Sequence, residues 1–172
     1  MGVSGSGKST IGEKLAERLG WGYEDGDKFH PASNVAKMSA GQPLTDEDRW
    51  PWLRAIADEI ERICGAGEHA VIACSALKHA YRDILVHGRT DVRMVFLNGT
   101  QELIASRLAQ RKGHFMPPGL LASQFSTLEP PDGSENPITV SIDASVDAIV
   151  DDILRQLNLT PAERGTPRRN RS

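Results

Sequence analysis

Apolar and polar stretches alternate along this chain of 172 residues in the manner of a β-α-β protein. Two nearly continuous apolar runs, HAVIACSAL at 69–77 and VRMVFLNG at 92–99, are typical of parallel strands that are buried on both faces. Two shorter runs, WGYEDGD at 21–27 and PITVSID at 137–143, predict further strands. The pattern therefore predicts an α/β fold with a parallel sheet.

Between these strands, apolar residues recur at helical spacing. A helix after residue 10 is predicted to end at Gly20, and a second helix begins at a capping box formed by Thr45 and Asp48. Further helices are predicted around 81–86, from Thr100 to Arg111, and at 146–157. No internal repeat or linker divides the chain, so we expect one domain over residues 1–160.

Composition and charge narrow the function classes. Hydrophobic residues make up 39% and charged residues 25% of the chain, which is typical of a soluble globular protein. No run approaches the roughly 18 apolar residues of a membrane span, and no signal peptide pattern is present. The two cysteines, Cys64 and Cys74, lack metal-ligand spacing and suit a reducing compartment. We therefore expect a cytoplasmic protein that does not contact a membrane.

The net charge of −3 is unevenly distributed. Residues 161–172 contain four arginines and one glutamate, a net +3, so the other 160 residues carry −6. An acidic body argues against nucleic-acid binding. The basic tail has almost nothing apolar to bury, and we expect it to be disordered.

The chain begins with a phosphate-loop motif, GVSGSGKST, that satisfies GxxxxGK[ST]. Its glycines let the backbone amides turn toward phosphate oxygens, and the following helix adds its positive dipole end. Lys8 is predicted to contact the β- and γ-phosphates of ATP, and the Ser9 hydroxyl to bind Mg²⁺. The alternatives are a flexible Gly/Ser turn and a dinucleotide fingerprint, which the spacing excludes because Thr10 stands where the third glycine should be. The predicted nucleotide-binding residues are Gly2, Val3, Ser4, Gly5, Ser6, Gly7, Lys8, Ser9 and Thr10.

The strand that normally precedes such a loop is not present before Gly2. In phosphate-loop folds that strand lies in the middle of the sheet, so we expect an unpaired slot between its two neighbours. Met1 stands where an internal MGVSG would read naturally, and we expect a start site assigned too late.

Two carboxylates at the end of the strand at 21–27 are the candidate acceptor-side acids. The apolar strand at 69–77 ends without an acid, so Asp25 and Asp27 are the available substitutes. Residues two apart on a strand point the same way. We expect Asp25 to hold the Mg²⁺ shell and Asp27 to accept a hydroxyl proton, the alternative being a surface Asp-Gly turn.

Three longer stretches resemble the gluconate kinases, which are relatives of shikimate kinase. They are EDGDKFHPASNVAKMSAGQPLTDEDRWPWL, ACSALKHAYRD and SRLAQRKGHFMPPGLLASQFSTLEPP. The resemblance runs from Gly2 to about Leu157. It implies a three-layer α/β sandwich with about five parallel strands, the first apparently truncated, and a lid insertion at about 112–128. It also implies transfer of the ATP γ-phosphate to the 6-hydroxyl of D-gluconate, and a homodimer.

Cationic residues within the matching stretches are candidates for the reaction. Arg49, Lys78, Arg82 and His114 are expected to bind the sugar acid, and Arg49 is the first choice for its carboxylate because a guanidinium can bind it with two hydrogen bonds. The alternative for each is a surface salt bridge, which for Arg82 would lie on an exposed helix beside Asp83. Arg107 and Arg111, one helical turn apart, resemble lid arginines that close over ATP; the alternative is two solvated arginines.

Two other functions stay open on the sequence. One is a shikimate or nucleoside-monophosphate kinase, against which CSALK and GHFMP argue. The other is a non-catalytic nucleotide-binding regulator, against which Asp25, Asp27 and the arginine-bearing lid argue. ATP turnover stimulated by a sugar acid would distinguish them.

Overall fold

Four short parallel strands lie between two groups of helices in the computed structural model, which describes residues 1–86, 88–110 and 118–160. The strands are β1 (Gly22–Asp25), β2 (Ala70–Ala73), β3 (Val95–Asn98) and β4 (Ile138–Ser141). The helices are α1 (Lys8–Leu19), α2 (Ala32–Ser39), α3 (Asp46–Gly65), α4 (His79–Val86), α5 (Gln101–Gln110), α6 (Pro118–Thr127) and α7 (Val146–Leu157). Short 3-10 turns occupy Gly26–Phe29 and Gly133–Glu135.

The helix boundaries follow the predicted capping signals. α1 ends at Gly20 in the left-handed conformation, with φ of 68°, and the Gly20 N–H returns to the carbonyls of the last turn. At the start of α3, the Thr45 side chain accepts from the Asp48 N–H while the Asp48 side chain accepts from the Thr45 N–H, so the predicted capping box is confirmed.

The sheet separates two hydrophobic clusters. On β2, Val71 packs against a cluster that includes residues of α1, α5 and α7, while Ile72, the next residue, packs against a cluster built mainly on α3 and α4. Successive side chains of a strand point to opposite faces, so helices cover both sides. The layered α/β architecture predicted from the sequence is confirmed.

The strands form two parallel pairs rather than the single sheet of about five strands that we predicted. β1 pairs with β2, and β3 pairs with β4. Residues 1 and 2 lie between the pairs: the Met1 carbonyl accepts from the Leu97 N–H at 3.0 Å, and the Gly2 N–H donates to the Ser75 carbonyl at 3.2 Å. A cavity of about 680 Å³ is lined by residues of both β2 and β3. The expected unpaired slot is therefore found between these two strands.

Two helices were not predicted. Residues 118–127 were assigned to an irregular flap but form α6, whose Leu121 is buried in the cluster on the α1 side. α2 follows directly on the 3-10 turn, and its Asn34 is buried. Leu121 and Phe125 of α6, and Leu128 just after it, stand at helical spacing and pack against that cluster, whereas in α2 Val35 and Met38 are exposed. Residues 112–117 of the predicted lid and the basic tail, 161–172, lie outside the described residues.

Candidate active site

The phosphate loop takes its shape from three glycines with positive φ. Gly2, Gly5 and Gly7 have φ of 147°, 82° and 93°. A Cβ at Gly5 would lie 2.9 Å from Leu108 of α5, so this position also needs glycine for close packing. Gly7 precedes α1 without a side-chain cap. The first N–H groups of a helix have no partner within it, so this end of α1 suits an anion.

Lys8 folds back over the loop. Its Nζ donates to the Val3 carbonyl at 3.1 Å, inside the motif itself. Burial lowers the pKa of Lys8, and the Asp27 carboxylate is the strongest of the charges that oppose this shift. The Ser6 hydroxyl is completely buried and has no hydrogen-bond partner within the described residues. The loop thus holds a cation and unpaired donors, which fit the phosphates of a nucleotide.

A glutamine from α6 also reaches the loop. The Oε1 atom of Gln124 accepts from the Ser4 N–H at 2.6 Å. Sequence analysis missed this residue because it treated 112–128 as irregular. Gln124 therefore links α6 to the nucleotide-binding loop.

Asp25 and Asp27 do not share a strand face, which corrects the geometry predicted for them. β1 ends at Asp25, and Asp27 belongs to the 3-10 turn that follows. The Oδ1 atom of Asp25 accepts from the Asp27 N–H at 3.0 Å and so caps this turn. Position 26 needs glycine, because the Ala73 carbonyl would lie only 2.6 Å from a Cβ. Both carboxylates still act on the pKa of Lys8, so both lie near the phosphate loop.

Arg49 and Lys78 are brought together around Tyr81. The Arg49 guanidinium carbon lies 5.8 Å and Lys78 Nζ lies 5.6 Å from the centre of the Tyr81 ring. Lys78 Nζ donates to both Asp46 carboxylate oxygens at 2.8 Å, and the Tyr81 hydroxyl donates to Asp46 Oδ1 at 2.5 Å. The Lys78 hydrogen bond is the main cause that lowers the pKa of Asp46. Asp46 and Tyr81 are site residues that sequence analysis missed.

Arg82 is buried, which excludes the surface salt bridge that we considered as the alternative to substrate binding. Its side chain is 2% exposed and binds Glu135 through Nε at 2.5 Å and Nη2 at 2.8 Å. Its Nη1 donates to the carbonyls of Ala76 and Leu77. The acid that fixes Arg82 comes from a distant loop, so sequence spacing could not reveal it. Arg82 thereby holds the segment that leads into Lys78.

His30 follows the turn that carries Asp27, and its N–H donates to the Asp27 carbonyl at 3.2 Å. Both the Asp27 and the Arg49 charges act on its pKa, which burial lowers. The imidazole stacks on the Trp52 indole, with ring centres 4.3 Å apart. Asn34 Nδ2 lies 3.3 Å from Nδ1 of His30. The i, i+4 spacing of these two residues in HPASN could have indicated this contact, but sequence analysis did not use it.

Arg107 lines a cavity of about 350 Å³ beside the phosphate loop, together with Gly5, Gly7, Thr10 and residues 144–146. Its Nη2 donates to the Ile142 carbonyl at 2.5 Å. Arg111 and His114 lie outside the described residues. Across the part of the chain that the structure covers, no cluster of three or more His, Cys, Asp or Glu side chains could hold a metal ion. Within the same ranges, no helix has the length and apolarity needed to cross a membrane.

Comparison with known proteins gives the family. The shikimate kinase family model matches residues 4–126. A probable gluconokinase of Mus musculus is 47% identical over 174 residues, which cover 91% of this chain and 95% of the relative. The thermosensitive gluconokinase of Escherichia coli K12 is 49% identical over 147 residues, covering 86% of this chain and 78% of the relative. The chain belongs to the gluconokinase family.

A solved structure supports the same assignment. The crystal structure of a gluconokinase from Sinorhizobium meliloti 1021 is 45% identical, with a TM-score of 0.83, and the match covers 92% of this chain and 89% of the other. Gluconokinase family membership makes this chain an ATP-dependent kinase with a phosphate-loop fold, as predicted. The broader shikimate kinase model describes the wider group to which these kinases belong.

Proposed function

We propose that this chain phosphorylates the 6-hydroxyl of D-gluconate with ATP, giving 6-phospho-D-gluconate and ADP. One observation carries the proposal: the Asp27 charge acts on the pKa of Lys8 in the phosphate loop and, with the Arg49 charge, on the pKa of His30, whose N–H donates to the Asp27 carbonyl. A carboxylate for the hydroxyl and a separate cation for the carboxylate suit a hydroxy acid that is phosphorylated on a hydroxyl.

On the donor side, the amides of residues 2–10 bind the phosphates of ATP. Lys8 supplies a positive charge for the β- and γ-phosphates. Arg107, in the wall of the cavity beside the loop, contacts the nucleotide, and Arg111 approaches the transferring phosphoryl group as a lid residue. These donors stabilise charge that develops during transfer, which is the main form of catalysis for this reaction.

The oxygen ligands on the donor side suit Mg²⁺. Ser9 is an exposed residue in the first turn of α1. Asp25 supplies a carboxylate whose Oδ1 atom accepts from the Asp27 N–H. We propose that Ser9 and Asp25 hold the ion and its bound waters. An ion held there would supply positive charge to offset that of the phosphates during transfer.

On the acceptor side, Asp27 orients the 6-hydroxyl and accepts its proton. Arg49 binds the carboxylate of the sugar acid, and Lys78, held by Asp46, adds a second cation. His114 remains a proposed substrate ligand on its motif alone. Because its donors already bind Glu135 and two carbonyls, we revise the role of Arg82 from substrate binding to support of the Lys78 segment.

An ATP-consumption assay coupled to ADP formation tests the function. The panel is gluconate, shikimate and nucleoside monophosphates, each at matched concentration with Mg²⁺. We expect gluconate alone to stimulate turnover. Stimulation by shikimate alone would assign the chain to the other activity of the wider group, and stimulation by none would favour a nucleotide-binding regulator.

Three further properties belong to the same proposal. We infer a homodimer, to be checked by sedimentation equilibrium, and a cytoplasmic enzyme. The acidic body of residues 1–160 also argues against nucleic acid as a partner.

A further inference from the structure

His30 closes the turn that carries Asp27. Its N–H donates to the Asp27 carbonyl at 3.2 Å, and the Trp52 Nε1–H donates to the Gly26 carbonyl at 2.7 Å. Trp52 is 1% exposed, and its indole lies nearly parallel to the imidazole, at 13°. One buried indole therefore fixes both the start of this turn and the ring that follows it.

The hydrogen bonds of Asn34 identify which imidazole nitrogen carries the proton. The Nδ2 atom of Asn34 donates to the Asp48 carbonyl at 2.7 Å, so this atom is the amide nitrogen. The same atom lies 3.3 Å from Nδ1 of His30. Because an amide nitrogen can only donate, Nδ1 accepts and the hydrogen of the neutral ring is on Nε2. Asn34 is 1% exposed, so this arrangement is buried and fixed.

The charge state agrees with this tautomer. Burial is the main cause that lowers the pKa of His30, and the Arg49 charge lowers it further, whereas Asp27 opposes the shift. The imidazole is therefore neutral at pH 7. Its Nε2–H is a hydrogen-bond donor on a side chain that is partly exposed.

We propose that Nε2–H of His30 donates a hydrogen bond to a secondary hydroxyl of the substrate, and that His30 thereby selects among polyhydroxy acids. This inference rests on the proposed function. Gluconate has four secondary hydroxyls between the carbon that is phosphorylated and its carboxylate. The His30 N–H donates to the Asp27 carbonyl, and Asn34, which contacts Nδ1 of His30, donates to the carbonyl of Asp48, the residue before Arg49. Hydrogen bonds thus connect His30 to the chain segments assigned to both ends.

The first experiment uses His30→Phe, which keeps a ring on Trp52 but removes the donor. We expect the KM for gluconate to rise about 3- to 10-fold, the loss of one neutral hydrogen bond, with the KM for ATP unchanged. His30→Gln, whose amide reaches a similar distance, should recover most of the loss. His69→Phe is the matched control because His69 also stacks on a tryptophan, Trp21, with ring centres 4.9 Å apart.

The second experiment compares gluconate with analogues that lack one secondary hydroxyl. Wild type should lose affinity for each analogue that lacks a contacted hydroxyl. His30→Phe should show no further loss for one of them, because its missing partner is already absent. If His30 only supported the structure, His30→Phe would not behave differently towards one analogue.

Three outcomes would overturn the inference. His30→Phe could leave the KM for gluconate unchanged, or raise the KM values for gluconate and ATP together, or lose affinity for gluconate and every analogue by the same factor. If His30→Phe does not fold, His30→Leu, which also removes the donor, is measured against the same analogues and decides in the same way. A wild-type protein that gluconate does not stimulate would overturn the proposed function, and the inference with it, before any variant is needed.

Discussion

The donor side takes most of its groups from one segment, residues 2–10, whereas the acceptor side draws on the turn after β1, α3 and the segment before α4. Donor contacts are mostly backbone amides, whose positions follow from three glycines and the start of a helix. Acceptor contacts are side chains that neighbours hold in place: Trp52 and Asn34 hold His30, and Asp46 holds Lys78. A substitution on the donor side should therefore affect the phosphates alone. One on the acceptor side should affect a particular part of the sugar acid.

The largest separation of the two sides should come from Asp27→Asn. This change keeps the shape of the carboxyl group and removes the charge that orients and deprotonates the hydroxyl, so kcat should fall by about 10²–10⁴-fold. The KM for ATP should stay the same, because Asp27 makes no phosphate contact in the proposed mechanism. Steady-state kinetics with both substrates measure this.

Asp25→Asn is the companion variant. It should raise the Mg²⁺ concentration needed for half-maximal rate, with a smaller effect on kcat. If the two variants exchanged these behaviours, the roles of the two carboxylates would be reversed. Near-full kcat in Asp27→Asn would remove Asp27 as the base.

On the donor side, Lys8→Ala should lower kcat by about 10²–10³-fold, because one preorganised cation at the transferring phosphate is lost. Gluconate affinity, measured by titration calorimetry, should be unchanged. Lys14→Ala, which removes an exposed lysine of the same helix, is the control. A parallel loss of gluconate affinity in Lys8→Ala would show that the two sides are not separable.

Glu135→Gln tests the buried support of the acceptor side. It leaves Arg82 uncompensated in a site where that side chain is 2% exposed, so the free energy of unfolding should fall by about 3 kcal/mol. Glu59→Gln, which breaks a pair with the exposed Arg62, should leave the free energy of unfolding within error. Urea denaturation of both variants measures the difference, and equal changes would refute the distinction.

The same variant should alter the acid response. The Arg82 hydrogen bond is the main cause that lowers the pKa of Glu135 from 4.5. The stability from this pair is therefore present above pH 4.5 and is lost as pH falls through the lower folded pKa. Glu135→Gln should lose less stability than wild type over that acidic interval.

The smallest expected effect is that of Arg49→Lys. Lysine keeps the charge but cannot bind a carboxylate with two hydrogen bonds, so the KM for gluconate should rise about 10-fold while kcat changes little. Arg54→Lys, on the exposed face of the same helix, should have no effect. An unchanged KM in Arg49→Lys would mean that another residue binds the carboxylate.

Sequence alone predicted the donor side better than the acceptor side, for a physical reason. The phosphate loop and the helix that follows it are local, so GxxxxGK[ST] and the cap at Gly20 report them directly. The same holds for the capping box of Thr45 and Asp48. In contrast, Glu135 lies 53 positions from Arg82, and Asp46 lies 32 from Lys78. Such partners leave no spacing signal in one sequence, so Arg82 was assigned to substrate binding, with a surface salt bridge as the alternative, and Asp46 was missed.

The errors in the fold have a similar origin. Asp25 and Asp27 were assigned to one strand face because strand periodicity was extended by two residues. Gly26, which turns the chain, reads equally well as part of a strand. α6 was missed because the segment was taken to break all periodicity, although Leu121, Phe125 and Leu128 stand at helical spacing and pack against one cluster.

The bond between Gln124 and the Ser4 amide has a consequence for isotope exchange. At 2.6 Å, the glutamine oxygen keeps this amide hydrogen from water while the loop holds no phosphate. In deuterated solvent, the Ser4 amide should therefore exchange slowly in the free protein, while the first amides of α1, with no cap at Gly7, exchange quickly. Added nucleotide should then slow exchange most at the first amides of α1. The exchange rate of the Ser4 amide should change little, because Gln124 already protects it.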